Sequence, residues 1–131
     1  MTPLLSLSDA RFVSLTTFRS SGERVSTPVW IGRDGDALVV LTPAGSGKVR
    51  RLRRDPRVEL APCGRFGKVE TGVVPIPGTA DVREASDDVG RARATIRRRY
   101  PIESRLVLGI ERLIERLRGR PRTERLALLI T

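Results

Sequence analysis

The chain has 131 residues, 39% apolar and 31% charged, which fits one modest hydrophobic core. Lys and Arg number 25 against 15 Asp and Glu, and the formal charge of +10 favours polyanionic partners: nucleic acid, an anionic surface or an acidic small molecule. With no histidine and one cysteine, Cys63, an internal disulfide and a cysteine-built zinc site are excluded, and metal centres and histidine acid–base catalysis are set aside.

No stretch reaches the roughly 18–20 uninterrupted apolar residues of a membrane span. The start, Met1-Thr-Pro-Leu-Leu-Ser-Leu-Ser-Asp9, lacks the basic n-region and cleavage site of a secretory signal. A cytoplasmic protein without membrane association is expected.

In chain order, Leu4–Ala10 predicts a short amphipathic turn or helix. Arg11–Arg19 is rich in β-formers and ends at the turn Ser20-Ser-Gly-Glu23. Val25–Ile31 predicts the next strand, Arg33-Asp-Gly-Asp36 a hairpin turn, and Ala37–Thr42 the last strand of a three-strand meander. Pro28 has no N–H to donate, so its strand is interrupted or lies at an edge there. An interruption in mid-strand leaves room for a ligand.

The most informative stretch follows, Thr42-Pro-Ala-Gly-Ser-Gly-Lys48-Val-Arg-Arg-Leu-Arg-Arg-Asp-Pro-Arg57. Strand, small flexible loop, short basic helix and strand together present backbone N–H groups and cations to an anion. The loop glycines allow close approach, and the helix N-terminus adds partial positive charge. A phosphorylated ligand is the leading expectation; the plainer reading is a solvated basic helix held down by Val49 and Leu52. A Walker A loop is excluded, because it requires glycine where Thr42 stands and Ser or Thr where Val49 stands.

Beyond it, Val58–Pro62 predicts a strand, Cys63–Gly67 a Gly-rich turn, Val73–Pro77 a loop and Gly78–Arg83 a strand. Ser86-Asp-Asp88 reads as a helix start whose stripe is Val89, Ala92, Ile96 and Tyr100, stopping at Pro101. A second helix from about Glu103 to Arg118 places Leu106, Ile110, Leu113, Ile114 and Leu117 on one face, with charge-paired rows at Glu111–Glu115 and Arg112–Arg116. Arg125–Ile130 is a closing strand. Arg118-Gly-Arg-Pro121 matches an AT-hook core, but it joins an amphipathic helix to an apolar strand, so it reads as a basic turn and nucleic-acid binding is not expected.

These elements predict a single domain over 1–131 that is mainly β with helices (α+β): an antiparallel barrel carrying a short basic helix and two helices in its C-terminal half. A barrel this small is filled by side chains, so a ligand would occupy a groove outside it, against a second subunit.

Leu15-Thr-Thr-Phe-Arg19, Thr27-Pro-Val-Trp30, Thr42 followed by Gly47–Val58, and Gly78-Thr-Ala80 resemble the FMN-binding split β-barrel proteins, a resemblance that runs the length of the chain. They are most similar to the pyridoxamine-phosphate-oxidase-class, F420-dependent oxidoreductases. The resemblance implies a homodimer that binds coenzyme F420, or alternatively FMN or a tetrapyrrole, between subunits and transfers a hydride to or from a small organic substrate. It implies that Thr42, Ser46, Lys48 and Arg51 hold the coenzyme phosphate. Pro28, Val29 and Trp30 would line the deazaflavin ring, although a lone tryptophan is as readily a core residue. Lys48 as a point charge and Arg51 as a bidentate donor suit phosphate, and the basic surplus suits the poly-glutamate tail. The apolar strands Arg11–Arg19 and Ala37–Thr42 are expected to need a symmetry mate.

Two features depart from the family pattern. The segment Leu106–Arg122 is longer than expected, which would cover or narrow the substrate side. No catalytic dyad is present, Tyr100 being the only tyrosine and Cys63 the only thiol. Hydride chemistry resides in the coenzyme, so no catalytic residue is named. A split barrel that binds its ligand without turnover is the alternative.

Overall fold

The computed structural model describes residues 3–118 and 124–131. Its elements are α1 (Pro3–Ser6) with a following 3-10 turn, β1 (Phe12–Phe18), β2 (Arg24–Val29), β3 (Gly32–Asp34), β4 (Ala37–Pro43), α2 (Gly47–Arg54), β5 (Arg57–Cys63), β6 (Ile76–Arg83), α3 (Ser86–Arg99), α4 (Pro101–Arg118) and β7 (Arg125–Ile130). The strands form one antiparallel seven-stranded sheet in the order β2-β1-β5-β6-β7-β4-β3.

That order corrects the expected meander. The predicted strand Val25–Ile31 breaks after Val29: β2 pairs with β1, whereas β3 pairs with β4, at the other end of the sheet. Only Trp30 and Ile31 join the two edge strands, so the sheet must curl until its edges face each other across a split. Pro28 lies on edge strand β2, where a missing N–H costs no ladder bond on the open side. The β3–β4 hairpin does form, closed by Gly35 at φ 62°, a left-handed value that glycine adopts without steric cost. Strand β6 begins at Ile76, inside the stretch expected to be loop.

The barrel interior is filled by alternate residues of the strands, including Val13, Leu15, Leu38, Val40, Val58, Leu60, Leu128 and Ile130, with Leu4, Leu5 and Leu7 packed against them. Outside the barrel, α3 covers β4 and β7 through Ala92 against Val39 and Ala127, with Val89, Leu41 and Leu129 at the margin. Both faces of β1 and β4 are therefore almost wholly covered by the chain itself. The expectation that these strands need a mate is corrected: helix α3 supplies one cover, and the outward positions of β1 are the small polar Ser14 and Thr16 between Phe12 and Phe18, the latter buried under Arg24 and Arg57. Apart from Phe66, Val73 and Val74 in the loop between β5 and β6, the large exposed apolar residues lie on α4, among them Leu106, Ile110, Leu113, Ile114 and Leu117. The expected amphipathic helix thus forms, from Pro101, with its apolar face bare.

Helix α3 is set by charge as well as by packing. Asp87 and Asp88 lie in its first turn and Arg97, Arg98 and Arg99 in its last, each complementing the helix dipole. Pro101 cannot continue the hydrogen-bond ladder but suits the first turn of the next helix, so the chain turns at Tyr100. No helix among the described residues is long and apolar enough to cross a membrane. The Arg118–Pro121 motif falls largely outside the described residues.

Candidate functional site

The split in the barrel opens into a pocket of about 300 Å³, at the lower end of small-molecule sites (about 300–1,000 Å³). One wall is the end of β2 with Pro28, Val29 and Trp30; another is the end of β4 with Leu41, Thr42 and Pro43. Lys48 enters from α2, Arg93, Ile96 and Arg97 from α3, and Phe12, Arg65 and Arg125 complete the lining. No acidic side chain is among these residues.

The α2 end gathers hydroxyls, free helix N–H groups and cations. Ser46 caps the helix, its Oγ accepting from Val49 N–H at 3.5 Å and lying 3.1 Å from Thr42 Oγ1. The first backbone N–H groups of the helix have no carbonyl one turn back, and they point out of the helix end with its partial positive charge. Lys48 Nζ donates to Thr27 Oγ1 at 3.2 Å and Arg51 Nε to Thr17 Oγ1 at 2.7 Å, so threonines on the inward side of β1 and β2 aim both cations. Arg51 folds back one turn along its own helix. A Cβ on Gly47 would lie 2.7 Å from Arg51 Nη1, so glycine is what admits the guanidinium beside the helix start.

The electrostatics at this end are those of crowded, partly buried cations. Burial, and then the neighbouring Arg51, hold the Lys48 ammonium below its ordinary pKa of 10.5. Burial, and then Arg19, Arg50 and Arg54, do the same to Arg51. An anion here would relieve both.

The other end is apolar and rigid. Trp30 is half-buried, its ring stacked on Tyr100 with centroids 4.9 Å apart and planes 11° from parallel. Tyr100 is buried; its hydroxyl donates to Arg11 O at 2.8 Å and accepts from Ile31 N–H at 3.4 Å. Burial pushes its phenol upward in pKa, keeping it a neutral donor. Tyr100 thus pins the strand break and fixes the indole beside it.

Of the residues singled out from sequence, Pro28, Val29, Trp30, Thr42 and Lys48 line one pocket. Ser46 and Arg51 stand just behind it, Ser46 on Thr42 and Arg51 over Gly47. Sequence reasoning missed Thr17 and Thr27, Tyr100 as more than a stripe residue, and the cations Arg65, Arg93, Arg97 and Arg125. The sole tyrosine directly before a helix-breaking proline was a usable signal for Tyr100; scattered arginines in an arginine-rich chain offered none. The donor set fits a phosphate: hydroxyls, helix N–H groups, an ammonium and a guanidinium are gathered around the start of α2, with Thr42 and Lys48 lining the pocket.

Residues 5–123 match the family model described as pyridoxamine 5'-phosphate oxidase. The chain belongs to that family. Among solved structures it is similar to a putative pyridoxamine 5'-phosphate oxidase from Listeria innocua, at TM-score 0.62 and 17% identity, covering 98% of this chain and 88% of that one. It is similar to an F420 reductase at TM-score 0.59 and 17% identity, covering 99% and 93%. The haem storage protein HutZ of Vibrio cholerae aligns at TM-score 0.64 and 12% identity over 94% and 82%. At such identities the likeness is one of fold. No curated protein matches the sequence.

Proposed function

We propose that the protein is a cytoplasmic, homodimeric oxidoreductase that binds coenzyme F420, in preference to FMN, in the split of its barrel and acts on a small organic substrate. The carrying observation is that one cavity joins a phosphate cradle on α2 to an apolar wall bearing a clamped tryptophan. When bound, the deazaflavin supplies a hydride donor or acceptor. The chain's own residues do the rest. Thr42, Ser46, Lys48, Arg51 and the α2 N-terminus hold the phosphate, while Pro28, Val29 and Trp30 bound the ring and keep water from one side. The surplus of cations over carboxylates in the pocket lining favours F420, with its anionic tail, over the single phosphate of FMN.

A binder without turnover is the second reading, since a carrier or sensor would use the same phosphate-holding residues and apolar wall. Haem is its least favoured ligand, since no His, Cys, Met or Tyr lines the pocket to serve as an axial ligand.

The only tryptophan, Trp30, makes intrinsic fluorescence a direct report on the pocket. Titrations with F420 and FMN are expected to quench it, F420 at lower concentration and with the stronger weakening by salt. Equal or tighter FMN binding, indifferent to salt, contradicts the coenzyme preference.

A further inference from the structure

Of the α3 arginines away from the pocket, Arg91 binds Asp34 with Nη2 at 2.9 Å and Arg99 donates to the carbonyls of Asp9 and Ala10 at 3.2 and 3.4 Å, while Arg98 joins no ion pair between described residues. Facing the pocket, Arg93 and Arg97 join none of the ion pairs between described residues. They are four residues apart, one helical turn, with Ile96 beside them on the same wall. Two like charges at that spacing repel, a helix cost that a shared anion would offset. Arg125 of β7 lines the same pocket, and no carboxylate does. Helix-dipole compensation accounts for Arg97 in the last turn but leaves Arg93, nearer the middle, unexplained.

We propose that Arg93 and Arg97 form a second anion-binding subsite of this pocket, on the α3 wall and separate from the phosphate cradle on α2. It takes a carboxylate or phosphate. The pocket is then selective for two anionic groups flanking an apolar body, which rests on the reading of the cavity as a coenzyme site. The second anion has two sources, a carboxylate of the coenzyme's own tail or a separate anionic substrate seated beside the ring. Both use the same fork of guanidinium donors.

The test compares the full-length wild type with Arg93→Gln/Arg97→Gln, following Trp30 fluorescence. In one arm F420 and FMN are titrated separately; in the other, inorganic phosphate is added to protein saturated with FMN. If the anion belongs to the coenzyme, the double variant weakens F420 at least tenfold and leaves FMN within twofold. If it belongs to a separate ligand, phosphate binds the FMN complex saturably and the variant abolishes that step. A variant that changes neither arm overturns the subsite. Should neither coenzyme bind the wild type, the coenzyme reading falls, and phosphate alone judges the subsite: two saturable steps reduced to one by the variant keep it, and an unchanged profile removes it. Arg93→Lys/Arg97→Lys, which retains charge but loses the planar fork, guards against a folding defect and is expected to weaken the same arm by a smaller factor.

Discussion

Replacing Lys48 by alanine separates a binding cation from a structural one, because the two roles predict opposite effects on stability. Lys48 is half-buried, donates one hydrogen bond to Thr27, and has its charge opposed by burial and by Arg51. A charge-assisted contact to a phosphate contributes about 1.5–3 kcal/mol, and partial exposure places this one near the lower end. At about 1.5–2 kcal/mol, Lys48→Ala weakens phosphate-bearing ligands roughly ten- to thirtyfold. Without ligand the sign reverses. A lysine whose folded pKa lies below its unfolded value carries its charge at a cost, so the fold gains stability as pH rises through the folded pKa towards 10.5. Removing the charge is therefore expected to leave the unliganded melting temperature at pH 7 unchanged or slightly higher. Fluorescence titration with F420, FMN and inorganic phosphate, paired with thermal unfolding of the free protein, reads both effects. In the wild type, affinity also declines as pH rises through the lowered pKa of Lys48, and that decline is absent from the variant. A variant that binds normally but melts lower would refute the reasoning and make Lys48 a strut to Thr27.

Arg51→Ala should weaken the same ligands by a similar factor, measured in the same titration, through loss of the guanidinium beside Gly47. Gly47→Ala should do so without unfolding the protein, since its Cβ meets only the movable end of Arg51; unaltered affinity would show that Arg51 need not lie there. Tyr100→Phe strips Arg11 O of its buried donor and should cost about 1–3 kcal/mol in denaturant unfolding, with a changed Trp30 emission as the clamp loosens. Gly32→Ala brings a Cβ to 2.6 Å from Thr95 Cγ2 in a packed position and should cost about 1–3 kcal/mol, seen as a lower denaturant midpoint at unchanged slope. Light scattering should report about twice the 14.5 kDa chain mass, and a Leu106→Glu/Leu113→Glu variant should return a monomer if the bare face of α4 forms the contact.

The parts of this molecule that were legible in its sequence are those in which a local rule and the tertiary structure agree. The Thr42–Arg57 stretch combines a small-residue loop, a Ser cap and a cation-rich helix, and each works over a few residues, so the capped basic helix was readable. The stripes of α3 and the alternation in β2 were readable for the same reason. What could not be read was which strands are neighbours. Val25–Ile31 is a continuous β-rich run, and nothing local marks the point after Val29 where it leaves one sheet edge for the other. That crossing depends on β5, β6 and β7, all later in the chain, lying between β1 and β4.

The same crossing explains why the site is where it is. Two residues must bridge the edges of a curled sheet, and Trp30 and Ile31 do so only because Ile31 is fully buried and Tyr100, 69 positions later in the chain, bonds its backbone. Bridging in this way leaves the ends of β2 and β4 adjacent but unpaired, which is the pocket. A proline at position 28 suits that edge because it has no N–H with which to recruit another strand. The loop after β4 then delivers Ser46 and Lys48 to the mouth of the gap, and helix α3, held down by the apolar outer faces of β4 and β7, delivers Arg93 and Arg97. The split is thus a direct consequence of closing a sheet whose two edges are consecutive in sequence. A chain that closed its barrel by pairing β2 with β4 would have the same core and no site.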